Sequence, residues 1–244
     1  MSHLAEQLTI LRARIRAAEL RGARPEGSVE LLAVTKGVSA ERVVEAIDAG
    51  QRAFGENRVQ ELEEKRAAVA QLRPGAPVQW DLIGPLQSNK LRRALAVADR
   101  ISSVDRVELL QRIIELGRES GVVRRTLLQV NIDHDPAKSG FTPDGLHAAL
   151  PEIAALLQSV ESQEARPAID GLLTVGRLTS DPAEARSTFT SFVAFSQSVR
   201  VAASALGVQI GPLISAGMSS DFELAIEEGA TQVRLGSALF GARG

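Results

Sequence analysis

The chain changes periodicity eight times. Short β-rich runs, "VELLAVTK" (29–36), "RAFGEN" (52–57), "VQWDLIG" (78–84), "RISSVD" (100–105), "TLLQVNID" (126–133), "AIDGLLTVG" (168–176), "VQIGPLISAG" (208–217) and "TQVRLGS" (231–237), alternate with longer stretches such as "SAERVVEAIDAG", "SNKLRRALAVAD", "RVELLQRIIELGRES" and "SSDFELAIEEGA". In the longer stretches apolar residues recur every three or four positions, which is the helical period. A strand-then-helix unit repeated eight times in 244 residues predicts an α/β fold, a single (β/α)8 TIM barrel. A doubly wound open sheet is the alternative. No boundary divides the chain, so 1–244 reads as one domain, with "RPGAP" (73–77) and "QSVESQEARP" (158–167) as surface turns.

Boundary signals support the helices. Asp105 with Glu108, and Ser220 with Glu223, have capping-box spacing. Asp181 can cap a helix that starts at Pro182. Gly50, Gly121, Gly207 and Gly229 stand where helices should stop. Near the N-terminus Leu4, Leu8, Leu11 and Ile15 form one stripe, which predicts an additional N-terminal helix that docks on the barrel.

That first segment has no uninterrupted apolar stretch of the signal-peptide kind, and no stretch reaches bilayer-spanning length. With 28 Lys and Arg against 30 Asp and Glu, the net charge is −2. There is no basic surplus to recruit nucleic acid or an anionic membrane. Cysteine is absent, which excludes disulfides, thiol catalysis and thiolate metal sites and fits a reducing cytoplasm.

In a barrel of this kind the chemistry lies at the C-terminal ends of the strands. The polar residues there are Lys36, Glu56 with Asn57, Gln87 to Asn89, Asn131, Thr174, Ser215, Ser219, Arg234 and Ser237. Lys36 is the most informative. By the strand period Leu32, Val34 and Lys36 share a face, so an amine would stand above a dry floor. Desolvation and a nearby cation would favour the neutral amine, which can attack an aldehyde and form a Schiff base. A strand-end lysine reaching solvent is the plainer alternative. In the last run Gln232, Arg234 and Gly236 share a face. Gly236 permits close approach of a ligand, and Ser237 opens a helix whose amides suit a phosphate. Gly217, Ser219 and Ser220 stand at another helix start, where a plain cap is also sufficient.

The motifs "LLAVTK", "FGENRVQE", "IGPLQSNK", "SVD", "LLQVNI", "KSGF", "GLLTV" and "GMSSDFELAIEEGATQVRLGSALFG" follow one another over nearly the whole chain. Together they resemble the pyridoxal phosphate homeostasis protein family, whose fold is similar to the barrel domain of alanine racemase. The resemblance implies pyridoxal 5′-phosphate as cofactor. It implies that Lys36 holds the cofactor as a Schiff base and that Asn57 lies near it. It implies further that Met218 and Ser219 of "GMS", with Gly236 and Ser237 of "RLGS", belong to the phosphate-binding region, and that Arg234 faces the pyridine nitrogen. The chain departs from the family's usual pattern at Asp81, Pro85 and Ala216.

Pyridoxal phosphate catalysis draws electrons into a protonated ring. A permanent cation at the ring nitrogen opposes that protonation, which disfavours transamination and decarboxylation but not racemisation. A racemase also needs an acid and a base on opposite faces. The racemases use a tyrosine supplied with a second domain, and this chain has no tyrosine and ends a few residues after the eighth run. Of the three histidines, His3 lies in the N-terminal stripe and His147 in a helical stretch; only His134, in the loop "DHDPAKSGF", could reach the mouth. No metal site is read in "DHD", which suits a solvated loop. The leading expectation is a cytoplasmic carrier that holds and delivers pyridoxal phosphate to apo-enzymes and is monomeric. A weak amino-acid racemase and a Schiff-base aldolase without the cofactor are the alternatives.

Overall fold

Every run read as a strand pairs in parallel with its neighbours. The computed structural model describes residues 2–160, 166–177 and 179–241, so part of the turn read at 158–167 lies outside the described residues. The strands are β1 (Glu30–Val34), β2 (Ala53–Glu56), β3 (Gln79–Leu82), β4 (Arg100–Val104), β5 (Arg125–Val130), β6 (Ile169–Thr174), β7 (Ile210–Ser215) and β8 (Gln232–Leu235). They follow chain order and close, with Glu30 of β1 opposite Gln232 and Leu32 opposite Arg234 of β8. The closed ring excludes the open sheet. Each strand stops one to three residues before its run does. Those last residues leave the ladder and form the loops at the mouth.

The helices are α1 (His3–Arg21), α2 (Ala40–Asp48), α3 (Val59–Leu72), α4 (Leu91–Val97), α5 (Val107–Ser120), α6 (Pro143–Gln158), α7 (Pro182–Ala205), α8 (Phe222–Glu228) and α9 (Ser237–Phe240). Asp181 caps α7 through the Ala183 N–H, and Pro182 opens it. The two capping boxes do not form. Arg106 stands at the cap of α5, while Asp105 turns to the Arg106 guanidinium; Glu223 is drawn away from Ser220 by Arg14. Both helices begin one residue later than the boxes require, with Arg106 and Asp221 at the cap positions.

The N-terminal helix is not an appendage. The helix after β8 has only four residues, and α1 packs against α8, α9 and α2, in the place an eighth outer helix would take. Its stripe, Leu4, Leu8, Leu11, Ile15 and Ala18, is buried. Arg14 makes two hydrogen bonds to Glu223, at 2.9 and 3.0 Å, and lies over the Phe222 ring. Glu19 is buried near the end of α1, where it accepts from the Gly27 and Val29 N–H groups and the Ser28 hydroxyl. This closes the turn that leads into β1. No helix among the described residues is long and apolar enough to cross a membrane.

The strand alternation splits the interior into two parts. Leu31 and Ala33 of β1 join the hydrophobic core between sheet and helices. Glu30, Leu32 and Val34 take the opposite face, inside the barrel. Near the N-terminal ends of the strands that lumen is polar. Arg100 of β4 donates to Asp81 of β3 at 2.6 and 2.8 Å and to Asp170 of β6 at 3.3 Å, and stands 3.8 Å from Glu30 of β1. One side chain can meet strands on several sides only by pointing into the barrel. Asp81, one of the departures in sequence, therefore lies deep in this layer, away from the mouth. Burial pushes its carboxyl up to about 6, against the pull of Arg100 and the Gln79 amide.

Removing one member of such a pair leaves a charge with no water to solvate it. Arg100→Met should destabilise the protein by about 3–5 kcal/mol and lower its Tm by roughly 10 °C. Asp81→Leu combined with Arg100→Met should recover most of that loss. Calorimetry of the two variants beside the unaltered protein measures both effects; equal Tm values for Arg100→Met and the unaltered protein would contradict the buried pair.

Candidate functional site

Lys36 stands outside β1. The Val38 N–H donates to the Thr35 carbonyl at 2.9 Å, closing a tight turn with Lys36 and Gly37 in its centre. Gly37 has φ +71°, the left-handed value that the third position of a type II turn requires, so glycine follows the lysine for a conformational reason. The expected inward face is continued by contact, not by the strand itself. Leu32 is fully buried against Gly55 and next to Ile83, and Val34, Ile83 and Lys36 all line one cavity.

That cavity, about 490 Å³, opens at the C-terminal ends of the strands. Its wall brings together all seven residues singled out from the sequence: Lys36, Asn57, Met218, Ser219, Arg234, Gly236 and Ser237. They come from the ends of β1, β2, β7 and β8. Val38, Val175 and Phe240 add apolar surface. Some of the other polar strand-end residues serve the loops instead. The Asn131 amide donates to the Asp135 and Lys138 carbonyls, Thr174 bonds the Val130 carbonyl, and Gln87 precedes a short 3-10 turn, Ser88–Lys90. His134 is exposed and is not among the residues lining the cavity.

The loops around the cavity are held from several sides. A Cβ at Gly84 would lie 2.1 Å from the Asn57 carbonyl oxygen, so only glycine lets the loop after β3 pass over Asn57. The Ser103 hydroxyl holds that loop through the Gly84 carbonyl at 2.7 Å. Asn57 thus has a fixed backbone, and its Oδ1 is buried with no hydrogen-bond partner. Such an atom costs free energy unless something donates to it. On the other side Gly217, at φ +87°, makes the turn after β7, and the Asp221 carboxylate accepts the Met218 N–H at 2.6 Å. The Ser219 hydroxyl accepts the Ala238 N–H at 3.2 Å, which ties this turn to the first residues of α9.

Arg234 is buried beneath these turns. It donates to the Ser215 hydroxyl at 2.8 Å and to the Thr174 carbonyl at 2.7 Å, and the Ser215 hydroxyl donates on to Gln232. Desolvation by burial pulls the guanidinium down to about 10, opposed by Asp221, so it remains a cation at neutral pH.

Sequence reasoning missed the support under Lys36. Lys65 of α3 is buried and donates to the Thr35 carbonyl at 2.5 Å, to Glu56 and, at 3.1 Å, to Glu61. Glu56 also accepts the Thr35 hydroxyl at 2.6 Å, and Glu61 accepts the Gly37 N–H at 2.5 Å. The only signal was the four-residue spacing of Glu61 and Lys65, which is indistinguishable from an ordinary surface ion pair. The two lysines have opposite circumstances. Lys65 spends its donors on three partners, whereas Lys36 takes part in no ion pair among the described residues.

A larger cavity, about 980 Å³, lies at the N-terminal ends of the strands and is lined by Glu30, Arg100, Arg125 and Asp170. Most of its charged groups have partners, Arg125 with Asp170 at 2.8 Å, Arg100 with Asp81 and Asp170, and Arg166 with the Val160 carbonyl at 2.9 Å. Size is the weaker criterion here. The smaller cavity holds an unpaired lysine, a buried cation and an unbonded acceptor, and it lies at the end where barrels of this type carry their chemistry.

Known proteins resemble this chain over nearly its whole length. Residues 8–244 match the family described as "Alanine racemase, N-terminal domain". The chain is 37% identical over 244 residues to the pyridoxal phosphate homeostasis protein of Pseudomonas aeruginosa, covering 100% of this chain and 97% of that one. It is 35% identical over 245 residues to the protein of the same name from Escherichia coli, covering 100% and 98%. Among solved structures, PipY of Synechococcus elongatus with PLP bound superposes with a TM-score of 0.82 at 36% identity, over 98% of this chain and 100% of that chain. The chain therefore belongs to the alanine racemase N-terminal domain family and, within it, to the pyridoxal phosphate homeostasis proteins.

Proposed function

We propose that this protein binds pyridoxal 5′-phosphate at the C-terminal mouth of its barrel, holds it reversibly through Lys36, and acts in pyridoxal phosphate homeostasis by keeping and releasing it. The observation that carries this reading is the charge of the cavity wall. Among the described residues that line it, the charged side chains are Lys36 and Arg234, and both are cations. A phosphorylated ligand with an aldehyde suits such a wall. Ser219, Gly236 and Ser237 provide a small polar rim for the phosphate, and the Asn57 Oδ1 offers an acceptor to a donor on the ligand. The bound PipY structure supports the same ligand.

When bound, pyridoxal phosphate supplies an aldehyde with which a lysine amine condenses with loss of water. The chain's own residues support holding over turnover. Arg234, fixed by Ser215 and Thr174, keeps a cation in the wall; beside a pyridine nitrogen it would oppose protonation and weaken the ring as an electron acceptor. The described residues lining the cavity include no carboxylate, histidine or tyrosine to act as a second proton-transfer group opposite Lys36. Neither racemase nor aldolase chemistry is favoured by any feature of the wall. We read the protein as a cytoplasmic monomer whose recipients are pyridoxal phosphate-dependent apo-enzymes.

Two measurements test the site. The unaltered protein mixed with the cofactor should develop a visible absorption band, and borohydride should fix a pyridoxyl group on Lys36. Lys36→Ala should show neither, and an adduct located on another side chain would remove Lys36 from its role. Ser237→Asp places a like charge where the phosphate is read, which costs several kcal/mol. Its affinity in a spectrophotometric titration should fall by at least about 30-fold, roughly 2 kcal/mol. Unchanged affinity would place the phosphate elsewhere.

A further inference from the structure

The turn that carries Lys36 is gripped from one side by α3. Thr35 is held twice, its carbonyl by Lys65 and its hydroxyl by Glu56. Gly37 is held through its N–H by Glu61. In a type II turn the N–H of the third residue belongs to the central peptide, the unit whose flip interconverts types I and II. That central peptide joins Lys36 to Gly37. A carboxylate on its N–H resists the flip and fixes the backbone from which the lysine side chain springs.

Glu61 suits this role better than Glu56. Glu56 is fully enclosed, and its second oxygen has no partner. Glu61 keeps 28% of its side chain exposed and reaches the turn from the rim. Burial pushes the Glu61 carboxyl up, but the Gly37 N–H and the Lys65 ammonium outweigh it and hold the group below the ordinary glutamate range. It therefore stays a charged acceptor, the stronger kind.

We propose that Glu61 is a positioning residue: by holding the Lys36–Gly37 peptide on α3 it fixes the Lys36 amine at the cavity wall and slows the escape of the ligand bound there. The inference rests on the reading that Lys36 holds pyridoxal phosphate. Lysines outside the clamp, such as Lys90 on its exposed turn, serve as an internal reference.

The first experiment needs no cofactor. Acetylation of the apo protein with limiting N-hydroxysuccinimidyl acetate, read by peptide mass spectrometry, gives the rate at Lys36 relative to Lys90. Glu61→Ala should raise that ratio several-fold, because the turn is released. Glu61→Gln, which keeps an oxygen for the Gly37 N–H but loses the charge, should fall between the unaltered protein and Glu61→Ala. A purely structural role would lower Tm without moving the ratio.

The second experiment follows loss of the visible band when cofactor-loaded protein meets excess 4-deoxypyridoxine 5′-phosphate, which competes for the cavity but has no aldehyde. Dissociation should be about tenfold faster in Glu61→Ala, the scale set by losing one hydrogen bond to a charged group. Glu61→Gln should again lie between the unaltered rate and that of Glu61→Ala. If Glu61→Ala does not fold, Glu61→Asp retains the charge but withdraws it by one methylene and should show the same two increases. A ratio and a dissociation rate within twofold of the unaltered protein in the folded variant would overturn the proposal. Failure of the unaltered protein to bind the cofactor would instead remove the functional reading, and the acetylation ratio would still decide the clamp.

Discussion

A guanidinium cannot enter the lumen of a barrel unless several strands meet it there. Arg100 is met by Asp81 and Asp170 and lies near Glu30; Arg234 is met by Ser215 and Thr174. These partners come from four strands and the two cations from two more, so the cations can be paired only when the sheet is closed and in register. The two layers are joined: Gln232 accepts from Ser215 and donates to Glu30 at 3.1 Å. Polar contacts therefore run from the cavity at the mouth to the charged layer at the other end. Such buried polar groups are costly when unpaired, which makes the register specific.

The mouth uses the same principle at smaller scale. Two lysines lie close in the fold, and the difference between them is their partners. Lys65 is enclosed by two carboxylates and a carbonyl and serves the structure. Lys36, on a turn fixed by Lys65 and Glu61, has no such partner among the described residues and faces a cavity whose other charge is also positive. A fixed amine in a cationic, partly apolar cavity suits a ligand that is both anionic and electrophilic.

Much of this was legible in the chain. The switch between strand and helix period located all eight strands and the main helices because each unit buries one face locally. The strand-end rule, with Gly217 and Gly236, picked out residues that line one cavity because glycines mark backbone that must turn sharply or be approached closely. The capping boxes around Asp105 and Ser220 were misread because both helices start one residue later, while Asp105 turns to Arg106 and Glu223 to Arg14, distant in sequence. The clamp under Lys36 was invisible for the same reason: Glu61 and Lys65 look like a surface pair until α3 docks beside β1 and β2.

The sequence by itself determined the repeating strand–helix unit, the lysine at the end of the first strand and the glycines around it, because these follow from local periodicity and backbone sterics. Only the tertiary structure decided which carboxylate meets which cation, that α1 completes the outer ring in place of a full helix after β8, and that Asp81 lies in the barrel floor and not at the mouth. Those choices depend on groups far apart in the chain competing for a few buried partners, and that competition has no outcome until the barrel closes.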